Sequence, residues 1–127
     1  MTERQLLSWI RIHSLSKFNS FLMRNNSGTL PNPTTGTPIR FGLGNDSHQI
    51  NTVFKSSDLI GITPIKCPCG HTYGVFTALE IKNPDWKFDF KNKNDQAQQN
   101  FINIVKQNSG IGSFVKNQEE FHNVYRK

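Results

Sequence analysis

The segment GVFTALEIKNP (residues 74–84), taken with SSDLIGITPI (residues 56–65), decides the fold. Val, Phe, Thr, Leu and Ile dominate the first segment, a composition suited to a strand. Alternation along that strand places Glu80 and Lys82 on one face, with Leu79 and Ile81 on the other. Two charges on one face of a hydrophobic central strand are costly unless paired or bound to a metal, so they point to chemistry. The second segment is another short apolar strand with Asp58 at its start. Residues 66–71, between the strands, are rich in Pro, Cys and Gly and read as a turn. A hairpin would set the start of the first strand beside the end of the second, bringing Asp58 and Glu80 to one site. Two carboxylates with nearby water make a hard oxygen site suited to Mg²⁺ or Mn²⁺. Lys82 beside them would orient or activate water, or offset charge developing on a phosphate.

At these residues the chain resembles a known family. Asp, a gap, then Glu-x-Lys is the signature of the PD-(D/E)XK nuclease superfamily. Five features in order are similar to its VRR-NUC branch, the virus-type replication-repair nucleases. They are Glu3 in the first turn of an N-terminal helix, Arg-Asn-Asn-Ser-Gly (residues 24–28), Ser-Asp-Leu-Ile-Gly (57–61), Ala-Leu-Glu-Ile-Lys (78–82), and a late helix with Gln98-x-x-Phe101 followed by residues 110–115. The resemblance covers residues 2–119. One departure is Ser57, where the family has a proline that shapes the turn before the aspartate.

The resemblance implies a restriction-endonuclease-like αβββαβ core, with a mixed central sheet flanked by helices, and a metal-dependent DNA endonuclease. Asp58, Glu80 and the backbone carbonyl of Ile81 would hold Mg²⁺ or Mn²⁺, and Lys82 would position the attacking water or the phosphate. Glu3 would join the metal site and Gln98 would point into it. Small stand-alone members look like Holliday-junction resolvases of phages and bacteria. Such an enzyme cuts two strands symmetrically, so a one-site domain is expected to act as a C2 homodimer on four-way junctions. Flaps and other branched repair intermediates are the alternative substrates. A different class, a DNA-binding or dimerisation module on an inactive nuclease fold, stays open. So does a small zinc-bound RNA-binding protein.

The rest of the chain fits around this centre. A length of 127 residues predicts one domain with one core. The net charge of +6 suits a polyanionic partner. Residues 2–15 read as a helix with a Thr2-x-x-Gln5 capping box and Leu6, Trp9, Ile10 and His13 on one side. Glu3 is equally an acidic residue favoured by the helix dipole. Residues 18–24 read as the first strand, 25–38 as a loop, 39–44 as a short strand or ribbon, and 45–56 as a polar stretch. Arg24, Asn26, Ser27 and Lys55 are candidate DNA contacts there, with a plain polar turn as the competing reading. Lys87, Lys91 and Lys93 are interleaved with Trp86, Phe88 and Phe90, a pattern that suits phosphate contact and base stacking. It equally suits aromatics packed on the domain with lysines facing water.

Residues 95–107 read as a helix with Phe101, Ile102 and Val105 buried. Gln98 shares that stripe, and alternatively closes an Asp95-x-x-Gln98 capping box. Gly110 is the expected C-cap, residues 111–116 a strand and 118–125 a final helix. The order is α/β with a mixed sheet. The Cys67-Pro68-Cys69-Gly70-His71 run offers only three candidate zinc ligands close together, with His48 needed to complete a set, so a tight turn is the better account. Two cysteines give no disulfide framework, and no signal peptide or membrane span is evident. The expected location is the cytoplasm of a bacterial cell, and the Asn, Lys and Ile bias with the compact chain suits a phage gene.

Overall fold

The capping box at Thr2 and Gln5 is formed, with Gln5 N–H donating to Thr2 Oγ1 (3.2 Å) and Thr2 N–H to Gln5 Oε1 (2.9 Å). The helix it starts, α1 (Glu3–Phe18), runs past residue 15 and ends at Asn19, which takes the left-handed conformation (φ 52°). Phe18, expected in the first strand, is instead the last helical residue and stacks on Tyr125 with ring centroids 4.3 Å apart. The computed structural model describes residues 1–126.

Strand β1 (Phe21–Arg24) is followed by a stretch whose strands lie outside the main sheet. The short strand or ribbon expected at residues 39–44 is present as β3 (Pro38–Phe41); it pairs antiparallel with β2 (Gly28–Pro31), in the stretch expected to be a loop, and the polar segment contains a short helix, α2 (His48–Val53). Their sequence is polar and lacks periodicity, and buried Asn45 holds the ribbon. Its Nδ2 donates to the carbonyls of Gly28 and Phe41 (2.9 Å each), and its Oδ1 accepts from Arg40 (2.9 Å). Such non-local side-chain bonds leave no signature in local pattern.

Strands β4 (Leu59–Lys66) and β5 (Thr72–Ile81) form the expected hairpin, pairing from Leu59 with Leu79 to Lys66 with Thr72. Helix α3 (Lys93–Gln107), strand β6 (Ile111–Val115) and helix α4 (Gln118–Tyr125) complete the chain. The main sheet has the order β1-β4-β5-β6, antiparallel except for the parallel β5–β6 pair. The protein is therefore mixed α/β, with a mixed-orientation central sheet and helices on its faces. Leu59, Leu79, Ile81 and Val115 meet Leu6, Ile10 and Phe121 of α1 and α4, while Ile60 and Ala78 meet Phe101 and Val105 of α3. Among the described residues no helix is long and apolar enough to cross a membrane.

Helix α3 ends at Gln107 as expected, but its start and its C-cap residue differ from expectation, each at an asparagine. The side chain of Asn92 accepts from Asp95 N–H (3.0 Å), so α3 starts ahead of Asp95 and the Asp95-x-x-Gln98 box does not form. Asn108 is the C-cap, and Ser109 takes the left-handed turn (φ 66°). Gly110 serves close packing instead, since a Cβ there would lie 2.6 Å from Val105 Cγ1 and 2.8 Å from Phe76 O. At the tip of the hairpin, Cys67 and Cys69 are bonded to each other, a local bridge with Cα atoms 5.3 Å apart. It joins β4 and β5 nowhere outside their own turn, so it is a local bond within the tight turn and not a disulfide framework.

Gly61 fixes where β1 can lie. A Cβ at this position would sit 1.8 Å from the carbonyl oxygen of Phe21, and backbone cannot yield as a side-chain tip can. Gly61→Ala is expected to cost on the order of 3 kcal/mol, the upper end for overpacking. Gly74→Ala, which meets only the Ile62 side chain at 3.0 Å, should cost clearly less. Thermal unfolding of both variants checks this, and equal losses would refute the role given to the β1 contact.

Candidate functional site

Strand alternation puts Ala78 and Glu80 on the α3 face of β5, as the sequence implies, and Asp58 stands one residue before β4 on the adjoining chain. The hairpin ladder ends at the Leu59–Leu79 pair, and the two carboxylates take over from there. Asp58 N–H donates to Glu80 Oε2 (3.2 Å), and Ile81 N–H donates to Asp58 Oδ2 (3.0 Å). Asn25 secures the other side. Its N–H donates to the Asp58 carbonyl (2.8 Å), while its Nδ2 donates to Ser56 Oγ (2.7 Å) and to the Ser57 carbonyl (2.9 Å). The sequence pointed to Asn26 and Ser27 but missed Asn25, the residue of that stretch that clamps the start of β4.

Lys82 lies just beyond β5 and is held from four sides. Its Nζ donates to Gln98 Oε1 (2.8 Å), lies 3.8 Å from Asp95 Oδ1, and sits 5.3 Å and 5.9 Å from the ring centroids of Trp86 and Phe114. Gln98 thus reaches the site from α3, as the resemblance implied. Asp95 was read only as a helix cap, yet it is buried, accepts Asp89 N–H (3.1 Å) and helps anchor Lys82. Its acidic side chain one turn before Gln98 was the available signal.

Glu80 is 3% exposed. Burial pushes its carboxyl up from the ordinary 4.5 to about 9, and the hydrogen bond and negative charge of Asp58 add to the rise. Lys82 and the Asp58 amide pull the other way but do not win. The pair therefore carries a proton where two bare carboxylates would repel. Two oxygen donors with surplus negative charge and a displaceable proton fit a hard divalent cation. Among the described residues no group of three or more His, Cys, Asp or Glu side chains is gathered for a metal. Glu3 is accordingly not joined to Asp58 and Glu80 in a three-carboxylate set, and its Oε2 instead accepts from Asn83 Nδ2 (3.0 Å). Helix α1 starts at Glu3, which leaves this side chain at the rim.

Asp58 lines two hollows. One, of about 220 Å³, is shared with Asn26, Ser27, Lys55, Glu80 and Gln98. The other, of about 500 Å³, opens on the α1 side and includes Glu3, Arg24 and Ile81. Lys87, Lys91 and Lys93 line neither; all three are exposed. Trp86 and Phe88 pack toward Phe114, with centroids 4.7 and 6.1 Å away, whereas Phe90 is 80% exposed. Trp86 and Phe88 thus follow the packing reading, with the lysines and Phe90 facing water. A further hollow, about 940 Å³ along β6, contains none of Asp58, Glu80, Lys82 and Gln98.

No protein-family model matches the sequence, and neither a curated protein nor a solved structure matches it.

A proton bound by native Glu80 but released from the unfolded chain near 4.5 stabilises the fold at low pH, and that stabilisation is lost as pH rises toward about 9. Unfolding midpoints in EDTA should therefore fall from pH 5 to pH 9, and Glu80→Gln should flatten this decline. At pH 8, saturating Mg²⁺ or Mn²⁺ should raise the wild-type midpoint by roughly 2–3 kcal/mol of stability at a hundredfold excess over Kd. Asp58→Asn should abolish the rise, and a midpoint insensitive to either cation would exclude the pair as its ligands.

Proposed function

We propose that the protein is a metal-dependent DNA endonuclease of the VRR-NUC branch of the PD-(D/E)XK superfamily, with a restriction-endonuclease-like core. One observation carries the reading. Two carboxylates from adjacent antiparallel strands, Asp58 and Glu80, are locked together at the end of the hairpin beside an anchored lysine, Lys82. The main-sheet elements also follow in the order helix, strand, strand, strand, helix, strand, with the ribbon and α2 inserted after the first strand.

Asp58 and Glu80, with the carbonyl of Ile81, would hold Mg²⁺ or Mn²⁺. The cation supplies Lewis-acid polarisation of a phosphoryl oxygen and makes water acidic enough to attack near neutral pH. Glu80 must release its proton for the pair to act as a dianion, and the Lys82 charge favours that release. Lys82, fixed by Gln98 and Asp95, offsets negative charge that develops on the phosphate. Gln98 acts by holding the ammonium in place, so its role is positioning. Rigidly supported groups of this kind stabilise charge in the transition state without reorganising.

The substrate within this reading is a four-way junction, cut symmetrically by a C2 homodimer. The Cys67–Cys69 bond leaves neither sulfur free as a zinc thiolate, which weighs against the zinc-bound alternative.

A labelled panel of four-way junction, flap, fork, duplex and single strand, with Mg²⁺, Mn²⁺ or EDTA, tests the proposal. Paired symmetric nicks on the junction are expected, lost in EDTA and in Glu80→Ala. Lys82→Ala should slow cutting by roughly 10²–10³-fold. Cutting confined to flaps or forks would replace the substrate, and binding without cutting would leave a DNA-binding module.

A further inference from the structure

The α1-side hollow has a chemistry different from its neighbour across Asp58. It is lined by Glu3, Arg4, Leu7, Ser8 and Arg11 of α1, by Arg24 of β1, and by Asp58 and Ile81, so three guanidiniums face two carboxylates there. Residues 4, 8 and 11 are spaced to fall on one helix face. All three arginines are exposed, and among the described residues none forms an ion pair with a carboxylate. Across Asp58, the smaller hollow is lined mainly by neutral amides and hydroxyls from Asn25, Asn26, Ser27, Ser56 and Gln98, and its one lysine, Lys55, donates to Asn51 Oδ1. Unpaired guanidiniums therefore gather on one side of the carboxylate pair only.

Guanidinium groups recognise phosphate oxygens through a planar fork of donors. Arg4 and Arg11 are separated by about 10 Å along the helix at 1.5 Å per residue. A strand carries one phosphate per roughly 3.4 Å of duplex axis, so this face spans more than one phosphate. We propose that Arg4, Arg11 and Arg24 form a phosphate track that grips the DNA strand on the α1 side of Asp58. The inference rests on the nucleic-acid reading above and deepens it. The strand flanking the reacting phosphate is held by its backbone along α1, while the amide-lined hollow takes the neighbouring nucleotide on the other side. The track adds Arg4 and Arg11 to the contacts legible in the sequence, and it gives the strand a defined direction through the site.

Salt dependence reads this directly, because each neutralised phosphate adds about 0.7–0.9 to the slope of log affinity against log salt. The measurement is fluorescence anisotropy of a labelled four-way junction and a labelled duplex in EDTA, across a NaCl series. The variant is Arg4→Ala/Arg11→Ala/Arg24→Ala. Its control, Lys17→Ala/Lys66→Ala/Arg126→Ala, removes the same charge from exposed positions outside the hollow. The track variant should lose about 2–3 from the slope and the control less than about 1. Equal slopes in the two variants would overturn the track. If the triple variant unfolds early, Arg11→Ala alone should lower the slope by about 1, and an unchanged slope there overturns the track equally. Wild-type protein that binds no DNA at low salt would overturn the nucleic-acid reading and the track with it. Wild-type protein that binds but does not cut with Mg²⁺ or Mn²⁺ would overturn only the nuclease reading, with the slopes still deciding the track.

Discussion

Everything at the working end of this molecule depends on the reciprocal bonds between Asp58 and the β5 terminus. Where the β4–β5 ladder stops, the Asp58 amide reaches Glu80 and the Ile81 amide reaches the Asp58 carboxylate. These side-chain bonds replace the next backbone rungs and fix two like charges side by side. Such an arrangement survives only if the surrounding structure imposes it and if a proton or a cation offsets the charge. Burial of Glu80 ensures that the offset is needed.

The imposing structure comes from both faces of the sheet. On one, Leu59, Leu79 and Ile81 are locked against α1 and α4, so neither strand can slide without burying the wrong side chain. On the other, α3 packs Val105 over Ile60 and Ala78 and delivers Gln98 and Asp95 to Lys82. The absence of a side chain at Gly61 lets β1 approach closely, and Asn25 then ties the end of β1 to the start of β4. The site is thus built on strand and helix ends with little freedom, which suits groups that must hold charge in a fixed geometry.

Away from the site, the face of the sheet that packs on α1 and α4 carries a chain of hydroxyls. Tyr125 bonds Ser20 (3.0 Å), Ser20 bonds Thr63 (2.7 Å) and Thr63 bonds Thr77 (2.6 Å). Buried polar groups are tolerated when paired in this way. Ser57 Oγ, beside Asp58, is buried without a hydrogen-bond partner among the described residues.

Periodicity of two and turn composition were enough to read the hairpin, the faces of β5, and the meeting of Asp58 with Glu80, because these follow from covalent geometry within one stretch of chain. The stripe of Phe101, Ile102 and Val105 was legible for the same reason at period 3.6. Strand β2, α2, the end of α1, the start of α3, and the roles of Asn25, Asn45, Asn92 and Asp95 were not, since most of them rest on a side chain bonding a partner that local pattern does not specify. Nothing in the pattern of α1 singles out Arg4 and Arg11. Only the packing of α1 against the sheet brings them beside Arg24 and Asp58. The sequence by itself determined which residues hold charge and that β4 pairs with β5, whereas the tertiary structure alone decided the other strand neighbours and which distant cations and amides surround that charge, because such neighbours are set by how whole elements dock.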